Sequence, residues 1–94
     1  MGANFCDYVF TAANLNEATE KALKHQEAEC YENGHGTYGG HLGTVKGVDP
    51  VTDRRFASVD LARAYAEEAH GKWSEPLLMR CDGDTWVLAG HMPS

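Results

Sequence analysis

The segment Leu42-Gly43-Thr44-Val45-Lys46-Gly47-Val48-Asp49-Pro50-Val51-Thr52-Asp53-Arg54-Arg55-Phe56-Ala57 decides the fold, because it lies between two helical patterns. Leu42 to Val48 reads as a strand. Asp49-Pro50-Val51-Thr52-Asp53 has turn chemistry, with Pro fixing φ and Asp able to bond its own backbone. Arg54 to Ala57 then returns as a short partner strand, which makes the segment a β-hairpin.

Upstream of this segment, Phe5 to Ala12 is a β-branched and aromatic run that predicts a strand. Asn14 can cap a helix and Glu17, three residues on, can reach back to it. From Leu15 to about Glu32 the residues are good helix formers. Leu15, Ala18, Ala22 and Leu23 form a thin apolar stripe that extends towards Gln26 and Cys30. Asn33-Gly34 stops this helix. Downstream, Ser58 caps a second helix that presents Leu61, Ala62, Tyr65, Ala66 and Ala69 inward and ends at His70-Gly71. Lys72 to Pro76 connects to two strands, Leu77 to Cys81 and Thr85 to Ala89, around the hairpin signal Asp82-Gly83-Asp84.

The predicted order is β-α-β-β-α-β-β, a single α+β domain over residues 1–94. Its first six elements match the ferredoxin-like split βαβ pattern, with two helices on one face of an antiparallel sheet. The other face is then open. Phe5, Tyr8, Phe10, Leu78, Trp86 and Leu88 must be divided between the faces, and an apolar open face predicts a homodimer.

The chain has 94 residues, with 8 Lys and Arg against 14 Asp and Glu, a net charge of −6. That sign excludes the usual phosphate-neutralising nucleic-acid binder, so no direct nucleic-acid binding is expected. It also argues against attraction to an anionic membrane. No apolar run is long enough for a transmembrane helix, and the first residues lack a secretory-signal pattern. Cys6, Cys30 and Cys81 are widely spaced with no C-x-x-C pair, so reduced thiols in a cytoplasm are expected.

Six of the ten glycines fall between Gly34 and Gly47. Such a loop can cradle phosphate through its amides. Gly34-x-Gly36-x-x-Gly39, however, precedes a strand rather than opening a helix, so the dinucleotide-binding reading fails. An anionic ligand such as a nucleotide would be held by Gly39, Gly40, Thr44, Lys46 and Arg54. His35 and His41, with Cys30 or Glu32, are the metal candidates of a third reading, a metal-dependent enzyme, although their spacing is loose for zinc. His35-Gly36-Thr37 has the form of a phosphoesterase motif but occurs once where two copies are needed. No other catalytic set is recognisable, and no cofactor is implied. Arg54-Arg55, with Lys46 across the predicted hairpin, is the one local basic cluster. Tyr38 and Trp73 are aromatics in predicted loops, placed to anchor a contact, and Trp73 could equally plug the core under the second helix.

Three segments, Thr37-Tyr38-Gly39-Gly40-His41-Leu42-Gly43-Thr44, Lys72-Trp73-Ser74-Glu75-Pro76-Leu77-Leu78 and Trp86-Val87-Leu88-Ala89-Gly90, together resemble small bacteriophage proteins. Those carry a Tyr-x-Gly-x-x-Gly-Thr segment and a Lys-Trp-Gly-Pro segment. Here Ser74-Glu75-Pro76 replaces Gly-Pro. The resemblance implies a phage or prophage origin and a host bacterial cytoplasm. By analogy of size and charge, it implies an anti-defence or anti-CRISPR-like inhibitor that blocks a host protein complex or sequesters a signalling nucleotide. The contact surface for that role would be the 34–47 loop with Tyr38 and His41, together with acidic side chains on the helices.

Overall fold

Leu42 to Ala57 does not form a hairpin. The computed structural model describes residues 3–33, 41–71 and 74–93. In chain order these contain β1 (Ala3–Thr11), α1 (Leu15–Asn33), β2 (Asp49–Pro50), α2 (Val59–Ala69), β3 (Leu77–Arg80) and β4 (Thr85–Pro93). The strands lie in the order β1-β4-β3-β2. β4 is antiparallel to both neighbours, whereas β2 is parallel to β3. The chain is therefore a small α+β domain with a mixed four-stranded sheet and two helices packed against it. It lacks the ferredoxin-like order that the hairpin would have supplied.

Residues 42–48 run through turns and bends, and Asp49-Pro50, expected as the turn, is the strand. The reason is local. Asp49 donates its N–H to the Pro76 carbonyl at 3.0 Å and Val51 donates to Leu78 at 2.9 Å. The residue between them points its nitrogen away from β3, where an edge strand needs no donor, so Pro50 fits. Phe56 resumes the pairing, donating to the Arg80 carbonyl at 2.9 Å and bridging in parallel to Cys81. The chain from Val51 to Phe56 spans only the step from Leu78 to Arg80, so Thr52–Arg55 is pushed outward as a bulge. The Arg54–Ala57 strand is thus a single bridge, and Lys46 does not face Arg54 and Arg55 across a hairpin.

The helices occupy opposite faces of the sheet. Ala18 and Ala22 of α1 pack with Phe10, Leu78, Trp86, Leu88 and Met92. Ala62 and Ala66 of α2 pack with Leu77, Met79, Cys81, Val87 and Ala89, the alternate residues of the same strands. Connection handedness accounts for this. α1 links β1 to β2 across the sheet and α2 comes back to β3, so two right-handed crossovers must lie on opposite sides. The face expected to be open, on which the homodimer argument rested, is the face α2 covers.

Both helices approach the sheet through small residues. The buried row of α1 is Ala18, Ala22, Gln26 and Cys30, at strict four-residue spacing, while Leu15 and Leu23 lie outside it. In α2 the buried pair is Ala62 and Ala66, with Tyr65 half-buried against Phe56, and Leu61 is 55% exposed. The caps form as their chemistry dictates. Glu17 donates its N–H to Asn14 Oδ1 at 2.9 Å, and Glu17 Oε1 accepts from Ala13 at 3.3 Å. Leu61 donates to Ser58 Oγ at 3.2 Å. Asp82-Gly83-Asp84 turns β3 into β4 with Gly83 at φ 72°, a conformation that favours glycine.

β4 runs past the start of β3, and His70 closes the exposed edge there. Its Nδ1 accepts the His91 N–H at 2.9 Å, while Nε2 donates to the Ser74 and Glu75 carbonyls at 3.0 and 2.9 Å. The imidazole takes the place of the strand residue that β3 no longer supplies.

Candidate functional site

The described part of the glycine-rich stretch, residues 41–47, is a turn locked onto α1. Gln26 Nε2 shares its two hydrogens among the carbonyls of Gly47 at 2.7 Å, Leu42 at 3.1 Å and Val45 at 3.3 Å, and Gln26 Oε1 accepts the Gly47 N–H at 3.0 Å. A buried carboxamide therefore does for this turn what a neighbouring strand would do. Cys30, one helical turn on, donates its thiol to the Gly43 carbonyl at 3.3 Å. Gly43 is required by that closeness: a Cβ there would lie 2.5 Å from the Gln26 carbonyl and 2.8 Å from Cys30 Sγ.

This arrangement redistributes the expected ligand set. Thr44 Oγ1 accepts the His41 N–H at 3.1 Å, so that oxygen is occupied within the turn. Lys46 lines a cleft of about 340 Å³ with Leu23, Gln26, Glu27, Cys30 and Gly47. Arg54 opens onto a different cleft at the other end of β2. Thr44, Lys46 and Arg54 are thus not brought together around one anion. Gly39, Gly40, Tyr38, His35 and Trp73 lie outside the described residues.

The described histidines do structural work. His41 Nδ1 accepts the Gly43 N–H at 3.1 Å, which leaves the ring proton on Nε2 and no free lone pair for a metal. His41 Nε2 is buried with no hydrogen-bond partner. His25 stacks on Tyr8 with centroids 3.7 Å apart and donates to Glu29 at 3.1 Å. His91 Nε2 donates to the Glu67 carbonyl at 2.7 Å. Among the described residues no group of three or more His, Cys, Asp or Glu is placed to hold a metal ion.

Cys6 and Cys81 are poor nucleophiles. Burial pushes the Cys6 thiol pKa up, with Glu29 and Asp7 adding to it. Burial likewise raises that of Cys81, with Asp82 adding to it. Raised thiol values keep these groups protonated at neutral pH, so iodoacetamide at pH 8 is expected to alkylate the native chain more slowly than the urea-unfolded chain. Because the folded-state values are the higher ones, their stabilising contribution is full below the ordinary thiol range. It is lost as pH rises through the folded values. Equal alkylation rates for native and unfolded chain would contradict the burial argument.

The second cleft, of about 390 Å³, gathers the arginines. Arg54 and Arg55 reach it from the bulge after β2, together with Val51, Thr52 and Asp53, Arg80 reaches it from the end of β3, and Leu15 and Trp86 complete its wall. Arg54 Nε is 3.5 Å from Asp53, and its guanidinium lies 4.6 Å over the Tyr65 ring. Arg80 lies 5.4 Å over Trp86, and its Nη2 is 3.7 Å from Asp84. Its Nε is buried with no hydrogen-bond partner. The sequence marks Arg54 and Arg55 as a basic pair. It gives no sign of Arg80, which joins them only because β2 and β3 are parallel.

No family model, curated protein or solved structure matches this chain. Any functional reading rests on its own residues.

Proposed function

We propose that this chain is a non-enzymatic binding domain that docks on a basic protein surface through the outward face of α2. One observation carries the reading: Glu67 and Glu68 are exposed in the last turn of α2, which has no basic residue. Carboxylates at a helix C-terminus face the negative end of the dipole, at a cost of about 0.3–1 kcal/mol each. Helix stability therefore does not account for them, whereas a basic partner does. One turn towards the N-terminus, exposed Ala64 and Leu61 continue the stripe, so an apolar anchor stands beside the charge. On α1, Glu17 pairs with Lys21, Glu20 with Lys24 and Glu29 with His25, and exposed Glu27 lies more than one turn before the helix end. Occupying a basic surface is how a blocking inhibitor of the kind implied by the phage-protein resemblance would act.

The test pairs wild type with the double variant Glu67→Lys, Glu68→Lys. Reversing these charges favours the helix dipole, so stability is expected to rise by roughly 0.5–1 kcal/mol. Immobilised wild type is expected to retain a basic protein from bacterial lysate at about 0.05 M salt and release it at about 0.5 M, as screening dictates. The double variant should retain none. Identical captures by wild type and variant, or salt-insensitive retention, would overturn the reading.

A further inference from the structure

We infer that the arginine-lined cleft at the end of β2 and β3 is a binding site for a phosphomonoester group, separate from the α2 surface. Its place in the fold is the first argument. The cleft lies outside the carboxyl ends of the parallel strands β2 and β3, flanked by the start of α1 at Leu15. At that end β1 leaves into α1 on one face and β2 into α2 on the other, while β3 turns directly into β4 between them. Connections that diverge to opposite faces open a crevice at the carboxyl ends of parallel strands.

The second argument is electrostatic. Three arginines and one acidic residue, Asp53, line the cleft in a chain of net charge −6. The nearest ion-pair contact made by Arg54 is 3.5 Å and by Arg80 3.7 Å, both longer than a charge-assisted hydrogen bond. Asp84, the partner of Arg80, is itself largely exposed. Arg55 has no ion-pair partner among the described residues. Arg80 is held in place, with its guanidinium over buried Trp86, whose indole donates to the Ala12 carbonyl at 3.0 Å.

Geometry then selects the ligand class. A carboxylate saturates one guanidinium fork, leaving two unused. A terminal phosphoryl group offers three oxygens and nearly two charges, so it can engage more than one of the arginines that line the cleft from the bulge and from β3. The cleft volume of about 390 Å³ accommodates a small phosphorylated metabolite. The bulge itself supports the reading, since Thr52–Arg55 leaves the line of β2 between two bonds to β3 and so presents Arg54 and Arg55 at the sheet end.

Isothermal titration of the whole chain with inorganic phosphate, ribose 5-phosphate, adenosine 5′-monophosphate and adenosine tests the inference. The phosphorylated probes are expected to bind and adenosine not, and the tightest phosphorylated probe identifies the source. Arg55→Ala, an exposed change, and Arg54→Ala are each expected to weaken binding by about tenfold. Arg80→Lys keeps the charge but loses the fork, and is expected to weaken it similarly. No binding by any phosphorylated probe at millimolar concentration would overturn the inference. So would adenosine binding as tightly as its monophosphate, or affinities unchanged in Arg54→Ala and Arg55→Ala. The α2 charge-reversal variant leaves the cleft intact and should bind these probes as wild type does, so either proposal can fail alone.

Discussion

Gln26→Leu is expected to destabilise the chain by about 3 kcal/mol, a large part of the roughly 5–14 kcal/mol typical of a domain this size. Leucine fills nearly the same volume and suits a buried helix position, so the loss is not one of packing. It comes from the turn. The carboxamide bonds to three carbonyls and one N–H of residues 42–47, and the side chain is only 3% exposed. Val45 and Gly47 are half-buried, so water can replace their share. The carbonyl of Leu42, a residue 1% exposed, is left without its bond, and a buried acceptor of that kind carries most of the penalty. Urea denaturation measures the loss. Amide exchange at Gly47 should accelerate in the same variant, since its N–H loses Gln26 Oε1. Leu23→Ala, at an exposed position three residues earlier on α1, is the control and should cost less than about 1 kcal/mol. A Gln26→Leu chain as stable as that control would show that the turn holds itself.

That turn marks where sequence reading stops. β1, both helices and the β3–β4 hairpin are legible because their signals are local: alternation in Tyr8 and Phe10, caps at Asn14 and Ser58, and a Gly at the turn. Leu42 to Ala57 is not legible, because its partners are distant. Asp49-Pro50 satisfies turn chemistry and edge-strand chemistry equally, and the choice is made by the Pro76 and Leu78 carbonyls. The helix faces are legible in part. Ala18, Ala22, Ala62 and Ala66 are buried as the stripes predict, whereas Leu15, Leu23, Leu61 and Ala69, expected beside them, are exposed, because close approach to a sheet selects a narrow row of small residues. The hydrophobic stripe that results is shifted, and leucines remain outside. Of the candidate site, Arg54 is legible as half of a basic pair. Arg80 is hidden inside an apolar strand, and Gln26, although it lies on the line of the inward stripe, gives no sign that its carboxamide holds residues 42–47.

Gly90→Ala is expected to cost about 2–4 kcal/mol for the addition of a single methyl group, through overpacking against a ring that has no room to move. A Cβ at Gly90 would lie 2.9 Å from His70 Cε1 and Nε2 and 3.0 Å from Nδ1. The imidazole cannot swing aside without loss, because Nδ1 holds the His91 N–H and Nε2 holds the Ser74 and Glu75 carbonyls. His70→Ala alone removes those bonds and leaves a cavity, at a cost of about 2–3 kcal/mol. The two changes should not add. With the ring gone, the methyl at position 90 enters vacated space, so the double variant should be no less stable than His70→Ala, a coupling of about 2 kcal/mol or more. Additive losses would place the strain in the β4 backbone rather than at the ring. The bonding pattern also fixes the tautomer, with the proton on Nε2, which ring 15N chemical shifts report directly. A proton found on Nδ1 at neutral pH would mean that His91 donates elsewhere and that His70 does not close the sheet edge. The same result would remove the reason for expecting Gly90→Ala to be severe, so the two measurements test one contact from both sides.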